Sequence, residues 1–427
     1  MNIPNTDKPR IVVIGGGFAG ISFIRNLKKV NVQLVLFDRH NYHTFQPLLY
    51  QVSTAGLEPD SIAYPLRKIF RKHKDFHFRL AEVETIDSEK KILKTSIGPL
   101  AFDYLVIATG TRTNFFGNDS IKTHSMPMKT VPQALNIRSL MLQNIEKADI
   151  TDDPEERRSL LNFVIAGAGP TGVELAGALA EFRKSILKND YPLIETNDMQ
   201  VHLVEGGSRV LLPMSEHASK KAKKFLEGMG VIVHLNTMVN SYDGNTVVTS
   251  DGKTFHTATF IWAAGVTGAP VNGLDADALV AKLNRYRVDS HSRIEGFQNI
   301  FALGDVALMK TEAFPDGHPQ VAQPAIQQGR RLALNFKREL AGKEMKAFEY
   351  TDKGTMATIG RNRAVADIKN MHFAGIFAWF LWMVVHLFFL IGFRNRVVTF
   401  FNWTYNYINY DKAARLIIRP FKKPSRS

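Results

Sequence analysis

The chain has 427 residues, 45% of them hydrophobic, the composition of a folded globular protein with room for two or three sizeable cores. It contains no cysteine, which excludes disulfides, iron–sulfur clusters and every thiol mechanism. A formal net charge of +14 favours an anionic partner; the basic residues concentrate late and no nucleic-acid module is legible, so anionic lipid is expected and nucleic acid is not.

In chain order, the first element is the buried strand Arg10-Ile-Val-Val-Ile14, followed at once by Gly15-Gly-Gly17-Phe-Ala-Gly20 and a helix. A strand beginning by Arg10 leaves the expectation of no leader peptide and of a cytoplasmic setting, or a membrane face looking onto it. Gly15 permits a tight turn, Gly17 lets a pyrophosphate approach the backbone, and Gly20 lets the helix pack close to the strand. The freed N–H groups around Phe18 and Ala19 and the helix dipole would hold the phosphates. About twenty residues on, Val32-Gln-Leu-Val-Leu-Phe37 ends in Asp38, placed to accept from a ribose hydroxyl with Arg39 beside it. An ordinary glycine-rich turn is the alternative, but strand, helix and acid together read as dinucleotide binding.

A polar–aromatic loop, Arg39 to Tyr50, then leads to a short helix near Thr54 to Gly56. Ile62 to Phe70 reads as a helix, Phe76 to Lys94 as two or three antiparallel strands, and Tyr104 to Gly110 as a buried strand ending in Ala108-Thr109-Gly110. Met126 to Ala148 reads as helical, and Thr151 to Glu156 as a charged linker.

The opening pattern then repeats. Asn162 to Ala166 leads into Gly167-Ala-Gly169-Pro170-Thr171-Gly172 and a helix expected over Val173 to Lys188, and Met199 to Val204 ends in Glu205. A carboxylate there accepts from a 2′-hydroxyl and repels a 2′-phosphate, so this unit should prefer NAD to NADP; a solvated strand-end acid is the alternative. Thr259 to Gly265 echoes the earlier small-residue ending at Ala264-Gly265. Asn299 to Asp305 is a further strand whose Gly304-Asp305 end can set a carboxylate against the polyol of a flavin. Ala322-Gln323-Pro-Ala-Ile-Gln327 opens a helix with two amides four apart, which face one side or merely decorate the helix.

The tail is hydrophobic. Gly375 to Gly392 is apolar all round, with His386 its only ionisable group, and must be buried in lipid, a partner or a core. Val397 to Ile418 carries a polar stripe of Thr399, Asn402, Asn406 and Asn409 beside Phe400, Phe401, Trp403, Tyr405 and Ile408, the composition of a helix lying at an interface. A span over 375–393 would carry Arg394, Arg396, Lys412, Arg415, Arg419, Lys422, Lys423 and Arg426 across, opposed only by Asp411, against the positive-inside rule. A monotopic anchor is therefore favoured over a single transmembrane helix at 375–393.

Gly15 to Gly20, Phe45-Gln-Pro-Leu-Leu-Tyr50, Gly167 to Glu174, Ile300 to Asp305, Ala322 to Gln327 and the tail together resemble the two-dinucleotide-binding flavoproteins. Within them the chain is similar to the type II (non-proton-pumping) NADH:quinone oxidoreductases. That resemblance implies an α/β protein with two Rossmann-like domains, the second inserted in the first, and a C-terminal membrane-anchoring helical region. The divisions expected are an FAD domain over 1–155 and 273–345, an NADH domain over 156–272 and the anchor over 346–427. It implies FAD on the first fold, touched by the turn residues, Ala108 to Gly110, Gly304, Asp305 and Ala322, and NADH on the second, at Gly167 to Gly172, Glu205, Ala264 and Gly265. Gln323 and Gln327 would lie near the flavin ring and the quinone entrance. Glu174 would lie near the nicotinamide–flavin contact, orienting the nicotinamide or tuning proton movement; read without the family, it is an acid stabilised by a helix N-terminus. Hydride would pass from NADH to FAD and electrons onward to a membrane quinone, on the cytoplasmic face of a bacterial inner membrane. No metal is expected, and a homodimer is left open. The absent cysteine separates the chain from the thiol-using relatives of this fold. The competing readings are a soluble NADH:acceptor flavin reductase and a membrane-tethered NADH/FAD redox sensor.

Overall fold

The computed structural model describes residues 1–409 and 414–422. Of the tail charges, Asp411, Lys412, Lys423 and Arg426 lie outside the described residues.

Short β-branched and leucine-rich runs form the strands, and glycine turns or capping residues set where each ends. In chain order the elements that matter here are β1 (Arg10–Ile14), α1 (Phe18–Asn26), β2 (Gln33–Asp38), α2 (Leu49–Ser53), β3 (Phe76–Leu80) and β4 (Tyr104–Ile107). There follow β5 (Met126–Pro127), α3 (Val131–Ile150), β6 (Asn162–Ala166), α4 (Pro170–Phe182), β7 (Gln200–Val204), α5 (Glu216–Gly228), β8 (Val231–His234) and β9 (Thr259–Trp262). The last are β10 (Ile300–Ala302), α6 (Ala322–Glu339), β11 (Thr355–Thr358), β12 (Ala364–Ile368), β13 (Met371–Ala374), α7 (Ile376–Phe389) and α8 (Phe393–Asn409).

One compact unit comprises Met1–His43, Tyr64–Arg112 and Val266–Asp352. Its five-stranded sheet has the order β10-β4-β1-β2-β3, and every neighbouring pair is parallel. Parallel strands covered on both faces must be apolar throughout, and β1, β2 and β4 are buried along nearly all their length. Val12, Ile14, Val35, Phe37, Leu105, Ile107 and Ile300 share one core cluster with Tyr286 and Phe348.

The other unit comprises Thr44–Ala63, Thr113–Gly265 and Lys353–Ser427. Its main sheet has the order β5-β9-β6-β7-β8, again parallel, with Val164, Ala166, Val204, Phe260 and Trp262 in its core. In both sheets the strand that precedes the glycine turn is central, with its acid-bearing partner on one side and the small-residue strand on the other. Helix α4 packs on the antiparallel sheet β11-β12-β13, and so does α7.

Several local expectations are corrected. Residues Ile62–Phe70 are not one helix: Pro65 lacks an N–H and disfavours helix at the residue before it, so a strand Ala63–Pro65 separates helices Pro59–Ile62 and Leu66–Phe70. The short helix lies at Leu49–Ser53 and stops before Ala55, which takes a φ of +58°. Residues Phe76–Leu80 join the main sheet in parallel, and only the strands after them are antiparallel. Helix α3 starts at Val131 because Thr130 and Gln133 form a reciprocal cap there. Helix α4 gives way at Arg183 to one π-helical turn through Leu187.

The apolar tail segment is likewise shorter than a span. Helix α7 has 14 residues, about 21 Å at 1.5 Å per residue, against a bilayer core of about 30 Å. It ends at Phe389, and Gly392 with φ +95° turns the chain into α8. Among the described residues no helix is long and apolar enough to cross a membrane, so the single-span alternative over 375–393 is not supported.

Candidate functional site

In the first unit the turn after β1 has the form a dinucleotide needs. Gly15 has a φ of +104°, and a Cβ there would collide with the Ala108 carbonyl at the end of β4. A Cβ on Gly20 would strike the Gly15 carbonyl, so α1 can lie against its own turn only with glycine there. A Cβ on Gly17 would meet nothing within 4 Å, which leaves open the position where a pyrophosphate would approach α1 at Phe18 and Ala19. Asp38 at the end of β2 accepts from the Gly16 N–H at 2.6 Å and from the His40 N–H at 2.7 Å. Arg39 is exposed and pairs with Glu82 at 3.6 Å.

Two more segments converge on this turn. The Thr109 hydroxyl, in Ala108-Thr109-Gly110, is buried with no hydrogen-bond partner among the described residues. An orphaned polar atom beside the turn is what a cradle for an absent polar ligand leaves behind. Helix α6 packs along α1 through small residues: a Cβ on Gly329 would meet the Ala19 carbonyl, and the Ser22 hydroxyl donates to the Ile326 carbonyl at 2.7 Å. This packing brings Gly304, Asp305 and Ala322 to the same end of the sheet. The Gly304 N–H donates to Gln328 Oε1 at 2.7 Å, Gln320 donates to the Asp305 carbonyl at 3.0 Å, and Thr111 Oγ1 reaches the Asp305 carboxylate at 3.4 Å.

The two expected glutamines differ. Gln323, half-buried in the first turn of α6, makes no hydrogen bond to protein among the described residues. Gln327 is committed: its Nε2 donates to the Thr351 carbonyl at 2.9 Å and its Oε1 accepts from the Thr351 N–H at 3.1 Å. That pair of bonds fastens the segment ahead of β11 to α6.

Sequence reasoning gave no role to His43, which is buried against the glycine turn. Its Nδ1–H donates to the Gly16 carbonyl at 3.1 Å and its ring meets Phe18 edge-on. Burial holds it down to about 4, so the ring is neutral, and its Nε2 lone pair has no partner among the described residues. Gln320 and Gln328 were also passed over, since isolated amides in a loop and a helix carry no spacing signal.

The second unit repeats the device. Gly167 has a φ of +97° and abuts Ala263 and Ala264, Gly172 abuts the Gly167 carbonyl, and Gly169 has open space around it. Pro170 and Thr171 are exposed at the start of α4. Glu205 accepts from the Ala168 N–H at 2.6 Å and the Gly207 N–H at 2.7 Å, as Asp38 does in the first unit. Ala264 and Gly265 follow β9, and Ala264 lies against Gly167 of the same turn.

One turn into α4, Glu174 is buried, as the apolar surroundings of this helix require. Burial raises its carboxyl to about 8, outweighing the Thr358 N–H that reaches Oε1 at 3.4 Å. The helix dipole would lower it, so the dipole-stabilised surface acid is not what is found. The Trp382 indole approaches the same carboxyl without reaching hydrogen-bonding geometry. Around it Trp382 stacks on His386 at 4.1 Å between ring centres, Tyr50 lies 6.5 Å and Trp403 5.7 Å from Trp382, and Phe45 lies 6.1 Å from His386. His386 is neutral, held down to about 4 by burial, with its Nδ1–H on the Trp382 carbonyl.

Helix α8 is amphipathic with its polar side inward. Asn395 donates to the carbonyls of Asp60, Ser61 and Ala63, Trp403 to the Gln51 side chain at 2.8 Å, and Asn406 to the Gly56 carbonyl at 3.2 Å. Phe393, Phe400, Phe401, Tyr405 and Ile408 are exposed, as are Ile376, Phe377, Phe380, Val384 and Phe388 of α7. A soluble surface has the reverse polarity.

Residues 9–329 match the family model for pyridine nucleotide-disulphide oxidoreductases, and residues 353–409 match the model for the NDH2 C-terminal domain. The chain is 36% identical over 426 residues to the type II NADH:quinone oxidoreductase NdhA of Mycobacterium tuberculosis, covering 96% of this chain and 89% of the relative. It is 29% identical over 467 residues to the mitochondrial external alternative NADH-ubiquinone oxidoreductase of Yarrowia lipolytica, covering 93% and 79%. Its fold is similar to that of NDH2 from Plasmodium falciparum, solved in complex with NADH, with a TM-score of 0.88 at 22% identity, covering 96% of this chain and 100% of that one.

Proposed function

The chain belongs to the type II NADH:quinone oxidoreductase family and is an FAD-dependent NADH:quinone oxidoreductase, and we propose that it works as a monotopic enzyme on the cytoplasmic face of a bacterial inner membrane, reducing a quinone drawn from the lipid. Bound FAD supplies the two-electron chemistry between NADH and quinone. The protein supplies binding, orientation and exclusion of water.

In this reading residues 1–155 and 273–345 form the FAD-binding part, 156–272 the NADH-binding Rossmann-like insert, and 346–427 the membrane foot. The open position at Gly17, the N–H groups of Phe18 and Ala19 and the start of α1 hold the FAD pyrophosphate, and Asp38 and Arg39 address its ribose. Ala108, Thr109, Gly110, Gly304, Asp305 and Ala322 complete that cradle, and the unpartnered Thr109 hydroxyl supports the fit. Gly167, Gly169, Pro170, Thr171 and Gly172 do the same for NADH, with Ala264 and Gly265 beside them. Glu205 accepts from the 2′-hydroxyl of NADH and disfavours the 2′-phosphate of NADPH. Gln323, whose amide has no protein partner among the described residues, addresses the quinone headgroup, and Gln327 keeps the adjoining segment in place. Glu174 holds a proton at neutral pH in a water-poor setting, where it can hand it on as quinone is reduced.

One observation carries the membrane part of this reading: α8 turns Asn395 and Asn406 inward and its aromatic side outward. That polarity is stable where the outer solvent is apolar, and lipid headgroups can take up the basic residues Arg394, Arg396, Arg415, Arg419 and Lys422. Detergent-solubilised protein, assayed for NADH oxidation with and without a short-chain quinone, tests the whole reading. Turnover that needs no quinone would favour the soluble acceptor reductase, and binding without turnover would favour the redox sensor.

A further inference from the structure

The first glycine turn is gripped from behind. The Gly16 N–H donates to Asp38 Oδ2 at 2.6 Å, and the Gly16 carbonyl accepts from His43 Nδ1–H at 3.1 Å. A carbonyl can only accept, so the proton of the neutral ring sits on Nδ1. The ring is 2% exposed and rests edge-on against Phe18, the first residue of α1, with 5.0 Å between ring centres. No other group among the described residues donates to the Gly16 carbonyl.

The peptide between Gly16 and Gly17 is trans and planar, so its C=O and N–H point opposite ways. Holding the Gly16 carbonyl toward His43 therefore turns the Gly17 N–H to the other side. That N–H precedes the first helical turn and has no protein partner among the described residues, and a Cβ on Gly17 would meet nothing within 4 Å. A donor on the carbonyl also polarises the peptide and strengthens its N–H as a donor.

The second unit meets the same need with different atoms. Ala168 takes the place of Gly16: its N–H donates to Glu205 at 2.6 Å, and its carbonyl accepts from the Leu211 N–H at 2.8 Å. The register matches too, since Ile21 donates to the Gly17 carbonyl and Val173 to the Gly169 carbonyl, both at 3.0 Å. In both turns the residue after the first glycine is held at each end, by a strand-end acid and by a donor to its carbonyl. In the first unit that second donor is a side chain, which a substitution can remove.

We propose that His43 is a positioning residue for FAD: through the Gly16 carbonyl it fixes the peptide plane that aims the Gly17 N–H at the pyrophosphate. This rests on the reading of the first glycine turn as the FAD cradle, and it requires no contact between His43 and the cofactor. Without the Nδ1–H, the buried carbonyl lacks its partner, and the peptide relieves that cost by rotating, which carries the Gly17 N–H off the phosphates.

The test uses the full-length holoenzyme and reads the cofactor instead of turnover. Release of FAD on dilution is followed by its rise in fluorescence, and the pyrophosphate resonances of the bound cofactor by phosphorus NMR. His43→Asn sets an amide N–H where Nδ1–H stood, whereas His43→Gln carries its amide one carbon further out and His43→Leu has no donor. His43→Asn should release FAD within about threefold of the wild-type rate. His43→Gln and His43→Leu should release it about ten- to hundredfold faster, as loss of a hydrogen bond to a charged group predicts, with at least one phosphorus resonance displaced. Wild-type release from His43→Gln, release from His43→Asn as fast as from His43→Gln, or faster release with both resonances unmoved would each overturn the proposal. Should His43→Leu fail to fold, the contrast between His43→Asn and His43→Gln decides alone. Gly17→Ala tests the cradle itself: its Cβ meets no protein atom within 4 Å and the φ of −79° suits alanine, so a bound pyrophosphate is what feels the change. Unchanged release and resonances in Gly17→Ala would refute the cradle, whereas a response there beside a silent His43→Gln would refute only the role of His43.

Discussion

Replacing the outward aromatic residues of α7 and α8 should detach the enzyme from lipid while leaving its flavin chemistry intact. Phe388, Phe393 and Phe401 are 68%, 82% and 64% exposed, so two-thirds to four-fifths of each side chain is available for insertion. Fully burying a side chain of this size is worth about 1.5–3 kcal/mol, which scales to about 1–2 kcal/mol for each of these. The triple variant Phe388→Ser, Phe393→Ser, Phe401→Ser should therefore lose roughly 3–6 kcal/mol of membrane affinity, two to four orders of magnitude in partitioning. The described basic residues of the tail add up to about 1 kcal/mol each near anionic lipid at low salt, and salt screens that contribution. High salt should accordingly weaken but not release the wild type, whereas the triple variant should stay in the supernatant when liposomes are sedimented. The variant should keep its FAD and its activity with a water-soluble quinone and lose most activity with a long-chain quinone in liposomes. Undiminished liposome binding by the triple variant would refute the reasoning. So would binding that persists while a wild-type dimer becomes monomeric, because the exposed face would then belong to a second copy.

Glu205→Arg should raise the kcat/KM ratio of NADPH to NADH by at least about tenfold, because a unit charge within about 4 Å at a protein surface is worth about 1–4 kcal/mol and its sign is reversed; steady-state kinetics with both nucleotides would show it. Glu174→Gln should change the pH dependence of stability: the native carboxyl, raised to about 8, binds a proton that the unfolded one has lost, so wild-type stability should fall by up to about 1.4 kcal/mol per pH unit from the ordinary carboxyl range to about 8. The variant should lack that slope and gain on the wild type at pH 8 in urea melts. Gln323→Ala should slow reoxidation by quinone about three- to tenfold with NADH-driven reduction intact, as loss of one neutral hydrogen bond predicts. Gln327→Ala should instead lower Tm by a few degrees through its two bonds to Thr351, read by flavin-fluorescence melting.

The two glycine turns, each with its strand-end acid, could be read from residues alone because both are local, and local geometry follows from backbone sterics. The apolar strands were legible for the same reason. Residues whose partners are distant were not. Nothing near Gln327 reveals that it bonds Thr351, and nothing near Gln51 reveals Trp403. The polar stripe of α8 was visible as composition, but its direction depends on the carbonyls of residues 56–63, which periodicity cannot weigh. Proline explains the miss at Ile62–Phe70, where apolar spacing was allowed to outvote a residue that cannot donate. The length of α7 was misjudged because hydropathy counts apolar residues and does not see the turn at Gly392.

The stitching of α8 to residues 51–63 has a consequence for the order in which the chain is made. Arg394 and Asp60 are 334 positions apart, and Trp403 and Gln51 are 352 apart. At about 5–20 residues per second, a ribosome delivers the second partner roughly 20–70 s after the first. Throughout that interval the early segment cannot acquire its native partners, and loop-closure entropy adds to the delay. The helix that completes it is α8, and that same helix carries the outward aromatic side. Closing the early segment and turning the aromatic side outward are therefore one event, so a molecule in which residues 51–63 still lack their partners does not yet present that side.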